Sequence, residues 1–94
     1  MAELEFSNLA LKQMKKCLKR RYFSTTQLNK TLECLIQDTK QSHIQIKTHV
    51  IENQNCLSSS INGEYRILWN KTNEKSVVVI KITKIGTHKK VYGS

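Results

Sequence analysis

The stretch GEYRILWNKTNEKSVVVIKITKIGTHKKVY, residues 63–92, decides how this chain folds. Tyr65, Ile67 and Trp69 alternate with Glu64 and Arg66, so Glu64 to Asn70 reads as a strand with one apolar and one charged face. Ser76 to Thr83 is the most β-prone run present, and Lys71 to Lys75 turns one strand into the other. Just upstream, Asn62-Gly63 is the dipeptide that best supplies two positive φ angles for a tight hairpin, which pairs Cys56 to Ile61 antiparallel with Glu64 to Asn70. Tyr65, Ile67 and Trp69 are better read as core than as a platform for stacked bases.

Working towards the N-terminus, the two-residue period persists: Ile44, Ile46 and Val50 fall on one side, with Gln45, Lys47 and His49 on the other. Before that the spacing changes to three and four. Ser24-Thr25-Thr26-Gln27 has a capping-box pattern, and Leu28, Leu32, Leu35 and Ile36 form the stripe of a helix over about 25–40. Ser7 can cap an earlier helix over about 7–21, with Leu11, Met14 and Leu18 on one face and Lys12, Lys15, Lys16 and Lys19 on the other. Leu4-Glu5-Phe6 is short and strand-like. The expected fold class is α+β: two N-terminal helices packed on one face of an antiparallel sheet of about four strands, the other face open. With no Pro, three Gly and no repeat, residues 1–94 read as a single domain.

A chain of 94 residues buries only roughly 60–65% of its unfolded surface, so a site here is an open groove or sheet surface suited to a large substrate. Sixteen Lys and Arg against seven Asp and Glu give a formal charge of +9 and a pI near 9.7. Such a surface attracts polyanions, nucleic acid or an acidic protein. A solvated lysine coat has the same composition.

Cys17, Cys34 and Cys56 are widely spaced, no C-x-x-C pair offers a zinc site, and no run approaches the roughly 18 apolar residues of a membrane span. Nor is there an apolar leader. The expectation is a cytoplasmic protein with reduced thiols, no metal and no cofactor. Asn29-Lys30-Thr31 and Asn70-Lys71-Thr72 then match a glycosylation pattern by chance.

Alternation gathers Lys47, His49, Glu64 and Arg66 on the open face, and His88 follows shortly after the last strand. Metal-free RNA cleavage needs these side-chain types. A base takes the 2′-hydroxyl proton, a cation holds the phosphate as charge grows on it, and an acid protonates the leaving 5′-oxygen. Histidine, ordinarily titrating at about pH 6.5, suits either proton step. Glu64 suits the base or its orienter, Arg66 is a planar fork for phosphate oxygens, and Lys47 is a point charge. Alternation alone fits equally well with exposed charges and ordinary surface histidines. Ser58-Ser59-Ser60 has no nucleophile elbow, and Cys56 has no base beside it in sequence.

Residues 63–69, the valine-rich strand and Gly86-Thr87-His88 with Tyr92 four residues on resemble the RelE/ParE superfamily of bacterial toxins, in its RelE/YafQ-like branch. Lys47-Thr48-His49 leading to Cys56-Leu57 is similar to that branch's Lys-x-His strand. The resemblance covers about residues 4 to 92. It implies the toxin of a type II toxin–antitoxin system, an mRNA endonuclease working in the ribosomal A site and inhibiting translation. His49, Glu64 and His88 match catalytic acid/base positions, Arg66 the phosphate-binding arginine, and Tyr92 a C-terminal aromatic that is catalytic in RelE-like members. Lys47 matches a basic position; Lys47, Arg66, Lys89 and Lys90 are then the RNA-binding cations. The implied partners are mRNA and an acidic antitoxin encoded nearby, part of which folds on binding.

The chain departs from the pattern in Glu52-Asn53-Gln54-Asn55, where relatives usually have a Lys/Gly-rich turn. Ser60 stands where some have a histidine. Lys89 and Lys90 replace an acidic pair. Two alternatives follow: a ParE-like gyrase inhibitor of the same fold without nuclease activity, which the two histidines disfavour, and a catalytically weakened antitoxin-binding relative.

Overall fold

The computed structural model describes residues 1–51 and 56–87. Over these the chain forms β1 (Glu3–Phe6), α1 (Asn8–Leu18), α2 (Thr25–Gln37), α3 (Lys40–Gln45), β2 (His49–Ile51), β3 (Cys56–Ser60), β4 (Tyr65–Glu74) and β5 (Val77–Thr87). The strands make one sheet in the order β1-β5-β4-β3-β2. The α+β class holds, with three helices and five strands rather than two and four. The sheet is mixed, because β1 lies parallel to β5 with Leu4 opposite Ile80 and Phe6 opposite Ile82. No described helix is long and apolar enough to cross a membrane.

Both predicted caps form: Ser7 Oγ accepts the Ala10 N–H, and Ser24 Oγ accepts that of Gln27. The buried face of α1 is set one residue away from the expected stripe. Ala10 and Cys17 are buried with Met14 partly so, whereas Leu11 and Leu18 are 37% and 46% exposed. Two small side chains let the helix lie close on β5, where Gln13 Oε1 accepts the Ile85 N–H at 2.8 Å. α1 stops at Leu18, short of Arg21, because the N–H groups of Lys19 and Arg20 bond three residues back and tighten the last turn.

α2 ends earlier than expected because Asp38 takes a left-handed conformation, φ 51° and ψ 44°. Thr39 and Ser42 then exchange side-chain-to-backbone hydrogen bonds in a capping box that starts α3. Ile44 and Gln45, expected on a strand, belong to this helix, and Ile44 is exposed. Strand β2 begins only at His49, after Lys47 at φ 51°.

The meander β3-β4-β5 is antiparallel as expected. Its turns are exchanged relative to expectation. Asn62-Gly63 sits in a four-residue connection in which Asn62 has no positive φ; its Oδ1 instead accepts the N–H groups of Glu64 and Tyr65 at 2.8 and 2.9 Å. The tight turn with two positive φ angles is Lys75-Ser76, at 50° and 67°. Each of these residues costs roughly 1 kcal/mol there, a cost that Asn and Gly largely avoid. The double substitution Lys75→Asn/Ser76→Gly is therefore expected to stabilise the fold by about 1 kcal/mol and raise Tm by roughly 4–8 °C in a thermal melt.

Tyr65, Ile67 and Trp69 do share the helix-covered face, packed with Leu28, Leu35, Ile80, Ile82 and Ile85. The opposite face is not wholly polar: Leu68 is 1% exposed and forms a second apolar cluster with Cys56 and Ile51. Between Leu68 and Trp69 the β4–β5 register shifts, with Trp69 opposite Ile82 but Leu68 opposite Lys84. This bulge decides which lysines reach the open face.

Candidate RNA-binding and catalytic face

Pairing carries His49, Ser58, Leu68 and Lys84 across the open face in one row, and Ser60, Arg66 and Gly86 in the next. Arg66 organises the site. Its Nε donates to Ser58 Oγ at 2.6 Å, while Nη2 reaches the Lys47 carbonyl at 3.0 Å, His49 Nδ1 at 3.2 Å and the Ser58 carbonyl at 3.4 Å. His49 Nδ1 accepts from Arg66 in the tautomer that carries its proton on Nε2, and in the other it donates to the Lys47 carbonyl at 3.4 Å. Nη1 makes no hydrogen bond among the described residues and remains for an anion. Ser58, fully buried, anchors the fork through its hydroxyl and its carbonyl.

Three of the expected site residues thus come together, though Lys47 contributes differently from the expectation. It lies before β2 in a left-handed turn, and its carbonyl, rather than its ammonium, meets Arg66. Glu64 does not join them. It precedes β4 in the bend held by Asn62 and lines a groove of about 560 Å³ beside Lys12, Lys16 and Arg20 of α1. His88, Lys89, Lys90 and Tyr92, and the turn Glu52 to Asn55, lie outside the described residues.

Sequence reasoning missed Lys84, which the bulge brings opposite Leu68. Burial pushes the Cys56 thiol up from its ordinary value, against the nearby Lys84 charge, so Cys56 is a packed thiol and not a nucleophile. It also missed a polar chain behind the site. Asp38 Oδ1 accepts from His43 Nε2 at 2.7 Å and Oδ2 from Lys71 at 2.6 Å; Thr48 Oγ1 lies 3.3 Å from His43 Nδ1 and 2.6 Å from Ser59 Oγ, which accepts from Trp69 Nε1 at 2.8 Å. The capping residues Thr39 and Ser42 were the signal that a helix brings His43 here.

Three helices on one face of a β1-β5-β4-β3-β2 sheet reproduce the fold of solved YafQ structures. The crystal structure of YafQ from E. coli strain BL21(DE3) matches with a TM-score of 0.80 at 17% identity, over 99% of this chain and 100% of that one. The toxin in the E. coli DinJ-YafQ toxin-antitoxin complex matches at 0.78 and 18%, over 98% of both chains. A metal-bound toxin from Helicobacter pylori matches at 0.79 and 15%, over 97% of this chain and 99% of that one. At such identities the likeness establishes the fold. No family model and no curated protein sequence matches the chain.

Proposed function

We propose that this chain is the toxin of a type II toxin–antitoxin pair, a cytoplasmic mRNA endonuclease that acts in the ribosomal A site and inhibits translation. The observation that carries the reading is the Arg66 fork, held by Ser58 and the Lys47 carbonyl with His49 at 3.2 Å, on an open face of a YafQ-like fold. In this mechanism a base removes the 2′-hydroxyl proton and the oxygen attacks the adjacent phosphorus. Arg66 compensates the charge growing on the phosphoryl oxygens, and an acid protonates the departing 5′-oxygen. The products are a 5′-hydroxyl and a 2′,3′-cyclic phosphate or, once that is hydrolysed, a 3′-phosphate. His49, His88 and Tyr92 are the proton-transfer and orienting groups, and Lys47, Lys89 and Lys90 hold the RNA backbone; Glu64, in the groove beside α1, stands apart from this set.

The +9 charge favours an acidic antitoxin as partner, as DinJ is found with YafQ in the E. coli complex. A neighbouring reading frame for an acidic protein is expected, and its product should suppress toxicity. Inducing this chain should arrest growth with mRNA cut to cyclic-phosphate ends before DNA damage appears. Gyrase-linked breaks with intact mRNA would overturn the reading in favour of a ParE-like toxin, and undisturbed growth would favour a weakened relative.

A further inference from the structure

Lys47 and His49, which meet Arg66 on the open face, flank Thr48, whose side chain points to the helix side. The bonds behind Thr48 form a continuous chain. An indole N–H only donates, so Ser59 Oγ accepts from Trp69, and the Ser59 and Thr48 hydroxyls share a 2.6 Å hydrogen bond in which either can donate. Thr48 Oγ1 is bonded to His43 Nδ1 at 3.3 Å, and His43 Nε2 donates to Asp38 at 2.7 Å. His43 also stacks on Trp69, with centroids 5.3 Å apart and planes at 16°. The stacking and the two ring hydrogen bonds together fix the ring plane.

Among the described residues the segment that Thr48 anchors is otherwise held by its pairing with β3, by the Ile46 carbonyl, which accepts the Ser60 N–H at 2.7 Å, and by Arg66. β2 is an edge strand of three residues, and Lys47 sits at φ 51°, where lysine needs outside support. That support is the Lys47 N–H to Ile44 carbonyl bond at 3.1 Å, the Thr48 N–H to His43 carbonyl bond at 3.0 Å and the Thr48 hydroxyl.

We propose that His43 and Thr48 are positioning residues for the His49–Arg66 pair: the Thr48 hydroxyl, held by His43 behind the sheet, fixes the backbone that presents the Lys47 carbonyl and the His49 ring to Arg66. The effect on catalysis rests on the function proposed above; the positioning itself does not.

The test uses the purified full chain with Thr48→Val, which keeps the shape and loses the hydroxyl, Thr48→Ser, which restores it, and His43→Phe, which keeps the stacking and frees Thr48. RNA cleavage on programmed ribosomes is measured alongside long-range proton–nitrogen spectra of the histidine rings. Thr48→Val and His43→Phe should lower kcat roughly 10–100-fold with KM within about twofold, as expected for a misplaced reacting group. Thr48→Ser should stay within about threefold of the parent. The His49 ring signals should move in Thr48→Val while the amide spectrum remains that of a folded protein. Unchanged His49 signals in a folded Thr48→Val variant would overturn the proposal, as would a serine variant as impaired as the valine one. If Thr48→Val does not fold, the contrast between Thr48→Ser and His43→Phe decides. If the parent cleaves no RNA, the proposed function fails, and the ring spectra still decide the positioning.

Discussion

His49→Ala is expected to slow RNA cleavage by about 10²–10⁴-fold, the range for losing a positioned proton-transfer group. Arg66→Ala should cost about 10²–10³-fold, as for a donor aimed at developing charge. Arg66→Lys should recover little of this. An ammonium on a flexible stem cannot span Ser58 Oγ, the Lys47 carbonyl and His49 Nδ1 at once while presenting a flat edge to a phosphate. Because Arg66 and His49 touch, the double variant should be far less impaired than the product of the single losses. Single-turnover rates for the parent and these variants check this, with thermal melts confirming that each is folded. Full multiplicative loss would mean that the two residues act separately, and an Arg66→Lys variant near parental rate would remove the argument from the fork.

What was legible in the sequence had a local signal. The β3-β4-β5 meander was readable because Tyr65, Ile67 and Trp69 alternate over a strand long enough to exclude a helix, and the starts of α1 and α2 because Ser7 and Ser24 cap them. The parallel pairing of β1 with β5 was not legible, since nothing in Leu4-Glu5-Phe6 encodes a partner more than seventy residues away. Ile44 and Ile46 misled because one spacing of two is too short a pattern to establish a strand; the capping pair Thr39 and Ser42 starts α3 instead, which turns Ile44 out to solvent while Ile46 at its C-cap is buried.

The site divides in the same way. Arg66 and His49 follow from alternation. Lys84 does not, because Lys81 and Lys84 are three apart and strict alternation puts them on opposite faces, while the bulge opposite Leu68 and Trp69 returns both to one face. Glu64 departs from its expected place because the strand begins one residue later, beyond the bend held by Asn62.

The acid limit of the fold should be set in part by Asp38, the far end of the chain of bonds behind the site. Asp38→Ala should destabilise the protein by about 3 kcal/mol: it removes two charge-assisted hydrogen bonds, one to the half-exposed Lys71 that water partly replaces, and leaves a non-glycine residue at φ 51°. Asp38→Asn tolerates that conformation and still accepts from His43, so its loss should be nearer about 1 kcal/mol. Burial acts to raise the Asp38 carboxyl, but the hydrogen bonds and charges of His43 and Lys71 outweigh it and hold the group below its ordinary value. A carboxyl depressed in the folded state contributes fully above its unfolded value, about 3.9, and loses that contribution as pH falls through the lower folded value. The gap in Tm between parent and Asp38→Asn should therefore be at its full value above about pH 5 and close progressively below about pH 4. A gap unchanged down to about pH 2 would show that the ion pair contributes nothing. Since the same carboxylate orients His43, and His43 holds Thr48, acid should loosen the turn carrying Lys47 and His49 before the core of Ile67, Trp69 and Ile82 gives way. Amide exchange at Thr48 and Ile67, followed over the same pH range, would show the two protections parting.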